Sequence, residues 1–260
     1  MQFEQRFGKI GEMIDSISIS SWRESSGVAG ATFLSTNKTA VILRGAQNLP
    51  VLGFSYRFVR PSANLMKEMD SNFHFGPARS GEQTVYGART PDASLNSILE
   101  WANFIRCRGV TRVCCLLDDG QLAGFPVDLG AEYRKLFGAA RILMEPVPDH
   151  HLCSGQALKG NILPFLRTAD TGGERAVIHC WGGNGRTGHV LAAWLVAARG
   201  LSPMEAIEAV EATGRLPREA VLAGNATLDE LIELLTSCKP DAQPKPRMHP
   251  AALEREKRRG

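Results

Sequence analysis

The chain has 260 residues, enough for one well-buried domain with extensions or for two small domains. Apolar content of 43% and charged content of 22% are those of a soluble globular protein, and no run of about 18 apolar residues exists to span a bilayer. The net charge of +3 is concentrated: residues 239–260 hold seven Lys or Arg against three Asp or Glu, so that segment carries +4 and the rest −1, which argues against a nucleic-acid-binding body.

The N-terminus, MQFEQRFGKIGEMIDS, lacks the basic start and apolar core of a signal peptide, and its acidic residues argue against a transit peptide, so a cytoplasmic location is expected. Cysteines at 107, 114, 115, 153, 180 and 238 form no CxxC pair and no regular framework. Neither a zinc site nor a disulfide scaffold is indicated, and a reducing compartment fits.

Three zones follow in chain order: an extension over 1–71, a central region over 72–238 and a tail over 239–260. In the first, Val28–Leu34 and Thr39–Leu43 are β-like runs about Ser35-Thr36-Asn37-Lys38. They read either as a hairpin or as part of a poorly ordered extension. The second zone alternates strand and helix signals without an internal repeat. Thr84–Gly87 reads as a short strand, and a helix capped by Asp92 or Ser94 runs to about Arg108. The apolar run Val110–Leu117 suits a buried strand, Leu129–Phe137 a short helix and Ala140–Met144 another strand. Gln156–Leu166 is a helix, and Asp170, close to Gly172 and Gly173, reads as a turn. Ala176–His179 is a strand leading into a glycine-rich turn, and Thr187–Ala198 is an apolar helix stopping at Gly200. Pro203–Ala212 and Leu228–Ser237 are further helices, the last capped by Asn225 or Thr227. Such alternation implies an α/β fold with a mainly parallel central sheet flanked by helices. The third zone carries Pro240, Pro244, Pro246 and Pro250 among charges and reads as a solvated tail.

The chemistry concentrates in Val177-Ile178-His179-Cys180-Trp181-Gly182-Gly183-Asn184-Gly185-Arg186-Thr187-Gly188. Here a buried strand ends, a glycine-rich loop turns and a helix begins. Amides of such a loop can converge on one anion, and the helix N-terminus adds roughly half a positive charge there. Cys180 stands at the loop entrance, in a field that stabilises a thiolate. Arg186 stands six positions on, where its planar fork can bind two oxygens of one phosphate. One segment thus offers a nucleophile, an anion cradle and a charge clamp.

The pattern HCxxGxGRTG at 179–188 resembles the signature loop of the protein tyrosine and dual-specificity phosphatases. The resemblance spans about 72–238 and is specific at 179–188, with support at 145–151. It implies a dual-specificity-phosphatase-like fold and a phosphomonoester hydrolase that needs no metal or other cofactor. Cys180 would attack phosphorus and form a phosphocysteine that water hydrolyses. Arg186 and the loop amides of Trp181, Gly182, Gly183, Asn184 and Gly185 would bind the phosphoryl oxygens. Thr187 would donate its hydroxyl to the sulfur, and His179 would orient the loop and tune the thiolate.

The family also takes a proton from an Asp on an upstream loop, and Asp149 in Glu145-Pro146-Val147-Pro148-Asp149-His150-His151 matches that loop, 31 residues before Cys180. Asp118 and Asp119, after the strand Val110–Leu117, are rivals that a turn-forming Asp-Asp-Gly also explains. His150 and His151 read as exposed loop residues without partners at metal-ligand spacing. Cys114 and Cys115 read as small buried residues; some family members protect the nucleophile through a neighbouring thiol, which makes Cys114, Cys115 and Cys153 candidates for that. Asn225-Ala-Thr-Leu-Asp-Glu-Leu resembles the family's last-helix pattern, with Glu230 in place of a Gln.

The compact region is closer to the dual-specificity branch than to the larger tyrosine-directed enzymes. No Lys occupies 181–185, unlike many lipid-directed relatives. The expected substrate is a phosphorylated protein or another phosphomonoester, with no nucleic acid and no membrane as partner. A phosphate-binding module without catalysis, an RNA 5′-phosphatase and a sulfur transferase are the competing readings. Met66 and Met69 stand just before the match, so the true start could be one of them. Substrate preference and oligomeric state stay open.

Overall fold

The computed structural model describes residues 61–240, together with the backbone of four short strands before them. Those strands are β1 (Ser18–Ser20), β2 (Ala31–Ser35), β3 (Ala40–Arg44) and β4 (Ser55–Arg57), joined in that order as an antiparallel sheet. β2 and β3 pair in register from Ala31 opposite Arg44 to Ser35 opposite Ala40, so the hairpin reading of this stretch holds. The expected tail lies outside the described residues beyond Pro240.

The main body holds a five-stranded sheet. Its strands are β5 (Gly76–Pro77), β6 (Val85–Arg89), β7 (Val110–Cys115), β8 (Ile142–Met144) and β9 (Arg175–Cys180), in spatial order β5-β6-β9-β7-β8. Only β5 runs antiparallel to its neighbour; β6, β9, β7 and β8 are parallel. The helices are α1 (Ala63–Asn72), α2 (Leu95–Cys107), α3 (Asp119–Ala123) and α4 (Leu129–Phe137). After them come α5, α6 (Gly185–Arg199), α7 (Pro203–Glu211), α8 (Glu219–Leu222) and α9 (Leu228–Thr236). In α5, Gly155–Ala157 and Leu163–Thr171 flank a π-helical turn, Leu158–Ile162. Pro164 has no N–H for the helical ladder and crowds the carbonyl four residues back, which accounts for the wider turn just before it.

Alternation along the strands divides the core in two. On β7, Cys114 faces one layer with Leu116, while Val113 and Cys115 face the other. The first layer is filled by α5, α6, α7 and α9, for example Leu166, Trp194, Ile207 and Leu235. The second is filled by α1, α2 and α4, for example Met69, Trp101 and Tyr133. Helix α6 is the spine of the first layer: thirteen of its fifteen residues, Gly185 through Ala197, are buried. Each fully buried leucine there, such as Leu191 or Leu195, contributes roughly 1.5–3 kcal/mol.

Several boundaries differ from expectation. Helix α1 has no counterpart among the expected elements, yet its Met66 and Met69 are buried with α2, and Asp70 pairs with Arg108. The compact body therefore begins before the edge expected at 72. Ser94, not Asp92, caps α2, accepting from Ser97 N at 3.1 Å. Thr227, not Asn225, caps α9, in a reciprocal capping box with Glu230. Asp170 belongs to the last turn of α5 rather than to a turn between elements, and it pairs with Arg199 at 2.8 Å.

Candidate active site

The parallel strands place three loops side by side at their C-terminal edge, following β9, β7 and β8 in spatial order. Ligand sites of open α/β sheets gather at such an edge. The loop after β9 carries the sequence 181–184 into the N-terminus of α6.

Cys180 ends β9 and is buried. Thr187, in the first turn of α6, donates its hydroxyl to Cys180 Sγ at 3.1 Å. This contact folds the helix start back over the sulfur. Asn184 precedes α6 without a side-chain cap, so the first amides of the helix are not consumed by the protein's own side chains there. The loop fits only with glycine at its tightest points. Gly183 has φ +73°, and a Cβ on it would lie 2.6 Å from the Ala88 carbonyl of β6. A Cβ on Gly185 would collide with the Glu219 carboxylate of α8. Trp181, by contrast, is half exposed at the rim.

Arg186 is 2% exposed, which makes its hydrogen bonding decisive. Its Nη1 donates to Gln121 Oε1 at 2.8 Å, Val147 O at 3.0 Å and Leu116 O at 3.3 Å. Its Nη2 meets Asp149 Oδ1 at 2.8 Å. Its Nε is buried and has no hydrogen-bond partner among the described residues, leaving one donor of the fork for an oxyanion. Asp118 Oδ2 lies 3.9 Å from Nη1, and Asp118 also caps α3 through Gln121 N at 2.9 Å. Of the acidic candidates, the structure thus brings Asp149 to the guanidinium, Asp118 to its edge, and builds Asp119 into the first turn of α3.

The loop bearing Asp149 is tied down along its length. Gln121 Nε2 donates to Asp149 Oδ2 at 3.3 Å, and His150 N donates to Oδ1 at 3.1 Å. His151 Nδ1 donates to Asp149 O at 2.7 Å. Asn225 Nδ2 donates to His150 O at 3.0 Å. His189, in α6, accepts from Cys153 N at 3.0 Å through Nε2 and donates from Nδ1 to Gly185 O at 3.1 Å. That pairing fixes its neutral tautomer and joins this loop to the turn after Cys180. Burial pushes the His189 pKa down to about 4.

His179 points to the opposite face from Cys180, edge-on to Trp101 and Tyr133 with ring centroids at 5.2 and 5.6 Å. Burial pushes its pKa down to about 3, so it is neutral at ordinary pH. Burial pushes the Cys115 and Cys153 thiols up to about 12, and Cys180 forms no disulfide.

Four residues at the site escaped the sequence reading: Gln121, His189, Glu219 and Arg215. Buried Arg215 donates to Gly183 O at 2.7 Å, to His74 O and Gly87 O at 2.9 Å, and to Gly76 O at 3.4 Å. It therefore buttresses the turn from beneath, and burial pushes its pKa down to about 10. Nothing local marks it, since its acceptors lie 32 to 141 residues away. His150 also finds company that spacing hid: Asp149, His150 and Glu219 each offer one ligand atom, all within 4.8 Å of one another. They are the described residues best able to hold a metal ion, although Asp149 is already engaged by Arg186.

The family model PTP-SAK, described as a Swiss Army Knife protein, DSP-PTPase phosphatase domain, matches residues 101–231, half of the chain. The chain belongs to this family. The match runs from α2 to α9 and takes in all three site loops, so the PTP-SAK unit here is a phosphatase domain with an α/β fold of the dual-specificity type. Several solved structures are similar. Tk-PTP in its active form is 28% identical with a TM-score of 0.47, over 61% of this chain and 92% of that one. PTPMT1 in complex with PI(5)P is 18% identical with a TM-score of 0.49, over 63% and 96%. TpbA of P. aeruginosa is 19% identical with a TM-score of 0.39, over 64% and 93%. No curated protein matches the chain.

Proposed function

We propose that the protein is a cysteine-dependent, metal-independent phosphomonoesterase of the protein tyrosine and dual-specificity type. The contact that carries this reading is Thr187 Oγ1 donating to Cys180 Sγ at 3.1 Å, beside an Arg186 whose fork is held by Asp149. A hydroxyl aimed at a sulfur stabilises charge on that sulfur, as a thiolate nucleophile and later as a thiolate leaving group.

In the first step Cys180 attacks phosphorus. Arg186 and the amides of 181–185 hold the equatorial oxygens, and Asp149 gives its proton to the leaving oxygen. In the second, Asp149, now a carboxylate, takes a proton from water as the water attacks the phosphocysteine. Thr187 supports the departing thiolate. His179, buried and neutral, acts through packing on the loop rather than through proton transfer. The loop itself supplies nucleophile and charge, so the chemistry calls for no metal.

The substrate is a phosphorylated protein or another phosphomonoester. The nearly neutral body disfavours RNA and membrane surfaces as partners. Among the described residues no helix is long and apolar enough to cross a membrane. A catalytic thiol at Cys180 needs a reducing compartment, and the cytoplasm is the location we propose.

Release of p-nitrophenol from p-nitrophenyl phosphate, with EDTA and a thiol reductant present, tests the reading. Wild type should turn over and Cys180→Ser should not. Asp149→Asn should lose about 100-fold on a phosphotyrosine peptide and less on p-nitrophenyl phosphate, whose leaving group needs little protonation. Binding of a phosphopeptide without turnover would favour a phosphate-binding module and overturn the proposal.

A further inference from the structure

Three side chains from the three site loops form a closed ring. Arg186 Nη2 meets Asp149 Oδ1 at 2.8 Å, Gln121 Nε2 donates to Asp149 Oδ2 at 3.3 Å, and Arg186 Nη1 donates to Gln121 Oε1 at 2.8 Å. The carboxamide can satisfy both neighbours in one orientation only: oxygen to the guanidinium, nitrogen to the carboxylate. Its backbone is fixed as well, because Gln121 N is the amide that Asp118 caps.

We infer that Gln121 is a positioning residue that keeps the proton donor Asp149 in register with the phosphate clamp Arg186. The inference rests on the roles proposed above for those two residues. Arg186 does not depend on Gln121, for Leu116 O and Val147 O still hold its Nη1. Asp149 does. Its side chain is 44% exposed, and Gln121 is the side-chain partner of Oδ2 that donates a hydrogen bond. Without Gln121 the hydrogen bonds that remain, from Arg186 Nη2 and His150 N, both fall on Oδ1, so the carboxyl can turn about that oxygen. Phosphate would still bind, but the proton would be delivered less often to the leaving oxygen.

Charge gives a second handle on the same contact. Asp149 faces Arg186 of α6, Gln121 of α3 and His150 of its own loop, whose Nε2 is 3.9 Å away. Asp118 lies behind Arg186 at 3.9 Å from its Nη1, and Glu219 of α8 lies behind His150 at 3.8 Å from its Nδ1. Replacing the amide with a carboxylate puts a like charge where a donor stood, so the two carboxylates repel each other and the ring opens.

The experiment compares wild type, Gln121→Met, Gln121→Glu and Asp149→Asn on p-nitrophenyl phosphate and on a phosphotyrosine peptide, with thermal unfolding midpoints in parallel. Gln121→Met should cut kcat on the peptide about tenfold while leaving KM and the p-nitrophenyl phosphate rate within about twofold, a small part of the range for a lost general acid. Gln121→Glu, which removes the donor at nearly the same size, should likewise cut kcat on the peptide while sparing the p-nitrophenyl phosphate rate. An equal fall on both substrates, or no fall on either, overturns the inference. If Asp149→Asn matches wild type on the peptide while Gln121→Met lowers its rate, the acid assignment fails instead, and Gln121 has no acid to position. Loss of folding in Gln121→Met leaves the difference between the two substrates in Gln121→Glu as the deciding result.

Discussion

Substituting Gly183 with alanine should damage folding and catalysis together, and the size of the effect follows from the loop geometry. At φ +73° a residue with a Cβ pays about 1–2 kcal/mol in backbone energy. The new methyl would also sit 2.6 Å from the carbonyl carbon and oxygen of Ala88 and 2.7 Å from Arg89 N. These are backbone atoms of β6, which pairs with β9 from Val85 through Arg89 and cannot yield. The turn must move instead. It would then lose the 2.7 Å bond from Arg215 to Gly183 O, and a hydrogen bond from a charged donor is worth about 1.5–3 kcal/mol. Together these give a destabilisation of about 2.5–5 kcal/mol, a large share of the stability of a typical domain. A turn displaced by about 1 Å should also cost roughly 100-fold in kcat/KM. Urea denaturation followed by tryptophan fluorescence reads the first quantity, and p-nitrophenyl phosphate turnover the second. A Gly183→Ala protein within about 0.5 kcal/mol and threefold of wild type would refute the argument that β6 dictates glycine here.

Two further outcomes are expected. Arg186→Lys keeps a positive charge but loses the fork, so kcat/KM should fall about 1000-fold while the fold persists, as kinetics beside a thermal melt would report. Acid should destabilise the protein through its buried histidines. The unfolded chain takes up protons near pH 6.5, but folded His189 and His179 resist them until about 4 and about 3, so stability is full above pH 6.5 and falls as pH drops toward 4. Each histidine contributes a slope of up to about 1.4 kcal/mol per pH unit, and His189→Gln should remove one share when denaturation midpoints at pH 7 and pH 5 are compared.

The candidate site was legible where its residues are contiguous. Residues 179–188 put the proposed nucleophile, the turn and the proposed clamp within ten positions, and the strand beginning at Val110 and the helix Leu129–Phe137 form. It was illegible where partners are distant. Gln121 meets residues 28 and 65 positions away, and Arg215 serves carbonyls from three separate segments. His189 illustrates both: its bond to Gly185 O is a local helical relation, but its bond to Cys153 N crosses 36 residues. Asp118 was read as a turn former and proves to be a cap, because one chemistry, a carboxylate accepting a backbone N–H, serves both structures. Helix α1 was hidden because only Met66 and Met69 among its ten residues are buried, too few to set a clear period.

Consecutive residues of β9 look into different halves of the protein: Cys180 into the layer of α6, His179 into the layer of Trp101 and Tyr133. The Cys180 sulfur is thus fastened to both halves, whereas Gln121 and Asp149 stand on the short helix α3 and on the loop after β8. On the proposed mechanism, drift in those two segments can retune which esters are cleaved without touching the anvil on which phosphorus is held. Loosening either half, however remote the change, should silence the enzyme at the moment cooperative folding fails, which makes catalytic rate a sensitive gauge of the integrity of the whole domain.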